Sequence, residues 1–194
     1  MANVTEQKAA LRKQLRKARR EHAAALPAEV SALVFRQPPA PVRELVPESA
    51  TIGLYRADTE EAPAASYARH FMENGHTIAL PRIDALNSDM NFHVHTDPYG
   101  ESDLVEGPMK LRQPAADAPV VVPDVLFMPL VGFTENGDRI GQGGGFYDRW
   151  LAAHPETLAI GLAWDVQKCD ELPVEEHDMP LSAVITPTRI YGPF

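Results

Sequence analysis

The chain has 194 residues, 44% of them apolar, which suits one compact soluble domain with a sizeable core and falls short of two. No run approaches the ~18 consecutive apolar residues of a membrane span, the polar, basic N-terminus lacks the apolar stretch of a secretory signal, and the single cysteine, Cys169, excludes a disulfide framework and reads as an incidental thiol, so a cytoplasmic protein without a membrane partner is expected. The net charge is −9, yet residues 1–22 carry seven Lys/Arg against Glu6 and Glu21, a balance of +5, so the remainder holds −14; so acidic a body argues against nucleic acid as a partner.

Glu6–Ala25 reads as a helix, with Leu11, Leu15 and Ala18 as an apolar stripe, Thr5 as N-cap and Pro27 as the stop. Ala28–Phe35 could add a short second helix, and Pro38, Pro39 and Pro41 then break regular structure. From there strands and helices alternate. Thr51–Tyr55 reads as a strand, Ala62–Asn74 as a helix stopped by Gly75, and Thr77–Leu80 as a strand ended by Pro81. Asn91–His95 is a weaker alternating strand, and 97–123, rich in Pro, Gly and acids, reads as loop. Val125–Leu130 is a buried type of strand, Phe146–Ala153 a helix, and Leu158–Ala163 and Ala183–Thr186 are further strands. The pattern predicts an α/β fold, a three-layer α/β/α domain around a mostly parallel sheet. Ligands in such folds sit beyond the carboxyl ends of the strands, where the segment after Val125–Leu130 falls. His93 and His95 alternate on one strand face; without a third ligand they read as surface residues rather than a metal site.

The segment richest in chemistry is Asp138–Asp148, which follows that strand through a turn (Gly132, Asn136, Gly137) and opens a helix. Gly141, Gly143, Gly144 and Gly145 let the backbone approach a ligand closely. Consecutive backbone N–H groups there, with Gln142 among them, form an anion cradle at a helix N-terminus. Arg139 adds a charge suited to phosphate oxygens. It is not a P-loop, since GxxxxGK[ST] is missing, and Gly141-x-Gly143-x-x-Phe146 lacks the third glycine of the dinucleotide fingerprint. A merely flexible turn would leave Arg before the glycines and Phe-Tyr-Asp after them without a reason.

The run Arg139-Ile-Gly-Gln-Gly-Gly-Gly-Phe-Tyr-Asp148 resembles the signature of the 5-formyltetrahydrofolate cyclo-ligases, the methenyltetrahydrofolate synthetases. The resemblance extends to Lys8-Ala-Ala-Leu-Arg12, Leu80-Pro-Arg82, Gln113-Pro114, Gly161-Leu-Ala-Trp-Asp-Val-Gln167 and His177-Asp-Met-Pro-Leu181, in order over nearly the whole chain. It implies a single cyclo-ligase domain over 1–194, with the basic helix packed on or near the ATP site. It also implies that ATP and Mg²⁺ drive conversion of 5-formyltetrahydrofolate to 5,10-methenyltetrahydrofolate, with small molecules as the partners and a monomer expected.

By resemblance Lys8 and Arg12, which share a helical face, reach the ATP phosphates beside Arg139, with Lys8 and Arg139 as the catalytic cations. The other basic residues of the helix read as solvated surface. Asp148 and Asp178 are implied metal ligands, a role that oxygen donors suit; taken alone, each reads as a cap or turn acid. The family places a glutamate for the pterin just past the first strand. Counting back from Gly75 favours Glu61, with Glu60 the alternative, because Glu60-Glu61-Ala-Pro63 departs from the usual Glu-[Val/Ile]-[Asp/Glu]-[Thr/Pro]. Phe146 and Tyr147 could stack on pterin or adenine or anchor the helix in the core, and Trp164 and Gln167 are expected to line the same pocket. Two other classes stay open at this point. One is a non-catalytic folate- or nucleotide-binding homologue; the other is a related ATP-dependent ligase or kinase with a different acceptor.

Overall fold

The alternating segments assemble one eight-stranded sheet in the computed structural model, which describes residues 3–31, 33–86 and 88–194. In chain order the elements begin with helices α1 (Val4–Ala25), α2 (Ala28–Ser31) and α3 (Ala40–Arg43), strand β1 (Thr51–Gly53) and helix α4 (Ala65–Glu73). Strands β2 (Thr77–Arg82), β3 (Asn91–Val94), β4 (Leu104–Glu106), β5 (Arg112–Pro114), β6 (Val120–Val121), β7 (Val125–Pro129), β8 (Gly132–Phe133) and β9 (Arg139–Ile140) follow. Helix α5 (Phe146–Ala153) and strands β10 (Leu158–Leu162), β11 (Ala183–Ile185) and β12 (Ile190–Tyr191) complete the chain. The sheet order is β12-β11-β10-β7-β1-β2-β3-β6. The middle five, β11 to β2, are parallel; β12 and β3 run antiparallel to them on either side, and β6 pairs antiparallel with β3 at the outer edge. The mostly parallel sheet with helices on both faces is the expected three-layer α/β/α fold.

Side-chain alternation along β7 divides the core. Val125 and Phe127 face α4 with Tyr67 and Phe71, whereas Leu126 and Met128 face α5 with Trp150 and Leu151. Phe127 is fully buried, its ring 5.5 Å from both Tyr67 and Phe71.

Several local expectations change. The N-cap of α1 is Asn3 rather than Thr5: Asn3 accepts from the Glu6 N–H at 2.8 Å and Glu6 accepts from the Asn3 N–H at 3.2 Å. This capping box starts the helix two residues early. Pro41 lies in the first turn of α3, where a missing N–H costs nothing. Pro81 continues β2 instead of ending it, because pairing with β1 stops at Ala79 and only the antiparallel partner β3 reaches it. Within the presumed loop 97–123 lie β4, β5 and β6, which are two or three residues long and leave no periodic signal. His93 and His95 are buried rather than surface residues: their Nδ1 atoms meet Ala118 O at 2.8 Å and Asp103 Oδ2 at 3.0 Å, because those segments fold over β3.

The chain leaves β1 for β2 in one direction and β7 for β10 in the other, so the topological switch point lies between β1 and β7. The segments that follow them, 54–64 and 130–145, meet there, and α1 lies across both.

Replacing Phe127 by Ala should cost roughly 3–5 kcal/mol, since it opens a cavity between the sheet and α4. Urea unfolding with an unchanged m-value would check this.

Candidate functional site

The β8–β9 hairpin carries Arg139 back over the sheet, and the glycine loop continues from it into α5. Arg139 is buried; its Nη2 donates to Asp148 Oδ1 at 2.5 Å and its Nε has no partner. Burial presses its pKa down, and Asp148 opposes this. Gly143 and Gly145 take φ of +102° and +65°, the left-handed region that disfavours side chains. Loop carbonyls are tied from outside. Arg12 Nε donates to Gly141 O at 2.9 Å, Arg16 Nη2 to Gln142 O at 2.8 Å and Arg149 Nη1 to Gly144 O at 3.1 Å. Among the described residues no backbone N–H of Gly141–Gly145 is a donor in any hydrogen bond. The loop thus offers its N–H groups to an anion.

Helix α1 supplies cations along one face. Leu15 seats it against Val131 and Ile140. Lys8, buried, donates to Asp178 Oδ2 at 2.5 Å and Glu175 Oε2 at 2.7 Å. Burial would lower the Lys8 pKa, but these two carboxylates outweigh it and hold it above its ordinary value. The expectation that the remaining basic residues are solvated surface holds for the exposed Lys13, Lys17 and Arg20, and not for Arg16 and Arg19. Arg16 Nε also donates to Gln142 Oε1 at 2.8 Å, Arg20 Nε to Glu60 Oε1 at 2.9 Å, and Arg19 is buried. The spacing 8-12-16-19 is one helical face, a signal the sequence carried.

The acidic loop after β1 meets the same face of α1 farther along, at Arg19. Asp58 Oδ1 accepts from the Glu60 and Glu61 N–H groups at 2.7 and 2.8 Å, and Glu61 Oε2 accepts from the Asp58 N–H at 3.1 Å. The Glu61 side chain is 12% exposed and that of Glu60 28%, so Glu61 is the deeper carboxylate. Burial and then Asp58 push the Glu61 pKa up, against Arg19 and a hydrogen bond from Gln142. Gln142 of the glycine loop thus lies beside Glu61 of the acidic loop. The Tyr55 and Tyr147 hydroxyls also feel Glu61, and burial raises both.

Phe146 and Tyr147 are half-buried and pack against the α5-side core, with Arg149 5.2 Å over the Phe146 ring. Trp164 and Gln167 belong to the floor of the site instead of its open wall. Trp164 is 3% exposed; its Nε1 donates to Glu60 O at 2.9 Å, which fixes the acidic loop. Gln167 is 1% exposed; it accepts from the Trp164 N–H at 2.8 Å and donates to Leu130 O and Val131 O at 2.7 and 3.2 Å. Their positions at a strand end were legible; their internal bonding was not. Cys169 is half-buried, and burial pushes its thiol up, in keeping with an incidental thiol.

Asp148 and Asp178 approach through one turn: Asp148 Oδ1 accepts from the Met179 N–H at 3.2 Å, and Asp178 Oδ2 from the Glu175 N–H at 2.7 Å. Ligand atoms of Glu175, His177 and Asp178 lie within 4.8 Å of one another; Asp148 is outside that group. This mostly carboxylate donor set beside an anion cradle fits a hard divalent cation.

The pattern of the 5-formyltetrahydrofolate cyclo-ligase family matches residues 4–187, from the start of α1 past the 175–179 turn. The chain belongs to the 5-formyltetrahydrofolate cyclo-ligase family. It is 35% identical to the Escherichia coli (strain K12) 5-formyltetrahydrofolate cyclo-ligase over 147 residues, 73% of this chain and 80% of that one. Against the Haemophilus influenzae 5-formyltetrahydrofolate cyclo-ligase the identity is 39% over 93 residues, 42% of this chain and 50% of that one. The fold is that of the Mycoplasma pneumoniae 5,10-methenyltetrahydrofolate synthetase, with a TM-score of 0.65, 24% identity, and 92% and 97% of the two chains covered.

Asp178 is held below the ordinary carboxylate range: burial would raise it, but Lys8 and the Glu175 N–H outweigh this. A depressed folded-state value stabilises above the unfolded pKa of about 4, and the contribution is lost as pH falls through the lower value. Lys8→Met should flatten this part of the acid limb in thermal unfolding followed from pH 6 to 2.

Proposed function

We propose that the protein converts 5-formyltetrahydrofolate to 5,10-methenyltetrahydrofolate with ATP, releasing ADP and phosphate. The observation that carries this reading is the junction of two sites through Gln142. On one side is a glycine loop with the Gly141, Gln142 and Gly144 carbonyls tied and its N–H groups free, faced by Arg12 and Arg139, with Lys8 at the adjoining 175–178 turn; on the other is the buried carboxylate of Glu61. ATP is assigned to the first, over Gly141–Asp148, and the pterin to the second, with Glu61 as its acceptor and Glu60 held aside by Arg20. A cytoplasmic monomer acting on small molecules is the unit we assign.

In the reaction the formyl oxygen attacks the γ-phosphorus of ATP and the bond to the ADP oxygen breaks. Arg139 and Lys8, with the loop N–H groups, neutralise the charge on the transferring phosphoryl. To do so they exchange their present carboxylate partners for phosphate oxygens. N10 then attacks the activated formyl carbon and loses its proton, the five-membered ring closes, and the C–O bond to phosphate breaks. The formyl oxygen leaves in the inorganic phosphate, so the equation balances. Asp148 and Asp178 would hold Mg²⁺, which supplies further positive charge to the phosphates when bound. Tyr147, between Glu61 and Arg139 in its electrostatic contacts, is suited to border both ligands. Burying two ligands side by side is most of the catalysis this chemistry needs.

The reading is tested by following the near-ultraviolet absorbance of the methenyl product with purified protein, 5-formyltetrahydrofolate and Mg-ATP. Absorbance is expected to grow only when ATP and Mg²⁺ are both present, and Arg139→Ala should lower kcat by about 10²-fold or more. ATP binding without any product from 5-formyltetrahydrofolate would overturn the assigned acceptor. Glu61→Gln should raise KM for the folate roughly 10- to 100-fold, the value of a hydrogen bond to a charged acceptor, with KM for ATP little changed.

A further inference from the structure

Arg19 is 3% exposed and makes an unusual set of contacts. Its Nη1 lies 3.8 Å from Glu61 Oε1, and its Nη2 lies 3.8 Å from Glu60 Oε2 and 3.9 Å from Asp58 Oδ2. All three are ion-pair distances too long for hydrogen bonds, and Arg19 Nε and Nη1 have no hydrogen-bond partner. A clamp serving only to fasten α1 to the acidic loop would be expected to close to bonding distance, because buried unsatisfied donors are costly. Arg20, one residue on, does make such a bond, at 2.9 Å to Glu60.

We propose that Arg19 is a positioning residue of the folate site, compensating the charge of Glu61 without occupying its oxygens and so leaving them to accept hydrogen bonds from the pterin. The inference rests on the assignment of Glu61 to the pterin. The groups facing Glu61 are Asp58 in its own loop, Arg19 on α1, Gln142 in the glycine loop, Tyr55 after β1 and Tyr147 on α5. Arg19 is the one cation within ion-pair distance among the described residues. Burial and Asp58 drive the carboxyl toward its neutral form, and Gln142 and the Asp58 N–H oppose this only in part. Both tyrosines stay neutral in the range of interest, since burial raises them. Without Arg19 the Glu61 pKa rises further. The ionised acceptor, present above that pKa, is then lost at a higher pH as the solution is acidified.

The test is equilibrium binding of 5-formyltetrahydrofolate to the full chain from pH 5 to 9, without ATP, for the unaltered protein, Arg19→Gln, Arg19→Met and Arg19→Lys. Mg-ATP binding to each is measured alongside. Arg19→Gln and Arg19→Met are expected to weaken folate binding roughly tenfold at pH 7 and to move its acid limb up by about one unit or more. Arg19→Lys should return the limb most of the way, and ATP affinity should stay within about twofold throughout. Using two neutral variants protects against one that folds poorly. Folate affinity that falls equally at every pH, with the limb in place, would make Arg19 a structural clamp and overturn the proposal. If the unaltered protein binds ATP and not 5-formyltetrahydrofolate, the folate assignment itself fails and takes this inference with it.

Discussion

Arg12 and Arg16 donate to the carbonyls of Gly141 and Gln142, and the order of the site depends on those contacts. A run of glycines has more backbone freedom to lose on folding than any other sequence. Left alone, Gly141–Gly145 would sample many shapes and present its amides to an anion in few of them. Tying the Gly141 and Gln142 oxygens from α1 fixes which way those two peptide units point. The same helix face carries Lys8 to the 175–178 turn and Arg19 to the acidic loop. One rigid element therefore sets the relative positions of the glycine loop and the acidic loop.

The arrangement concentrates charge where it is costly. Lys8, Arg19 and Arg139 are all buried, and desolvating an ion is compensated only when its partners are close and well aligned. Lys8 meets that condition with two carboxylates at bonding distance. Arg139 meets it in part, with Asp148 bonded and Nε left over. Arg19 does not meet it. The sheet beneath shows no such compromise: β7 is apolar on both faces, and Gln167 satisfies two buried carbonyls past its carboxyl end and one N–H past that of β10. Local rules broken at the mouth and kept in the core are the pattern expected of a working site.

The sequence conveyed the fold wherever an element was long enough to show a period. The start of α5 is legible to the residue, and the central parallel strands to within one or two residues. Strands of two or three residues, such as β6, β8 and β12, arise from pairing with distant partners and have no local signature. The burial of His93 and His95 was hidden for the same reason, since it depends on segments that fold over β3 from beyond it. In the candidate site, the glycine loop, Arg139, Lys8 and Arg12 stood out because their chemistry is compact in sequence. Arg16, Arg19 and Glu175 did not. Each looks like ordinary surface charge until the fold brings its partner from 42 to 167 residues away.

Lys8 and its partner Asp178 are separated by 170 residues, with every strand of the parallel sheet except β11 between them. Contacts of such separation carry a large loop-closure cost and are made late. A growing chain could complete β1, β2, β7 and β10 while α1, a cationic amphipathic segment, still lacked the far end of its seat. The Lys8–Asp178 end of the site would then come into being as one of the final folding events. A completed site would report that α1 and the 175–178 turn had both found their places.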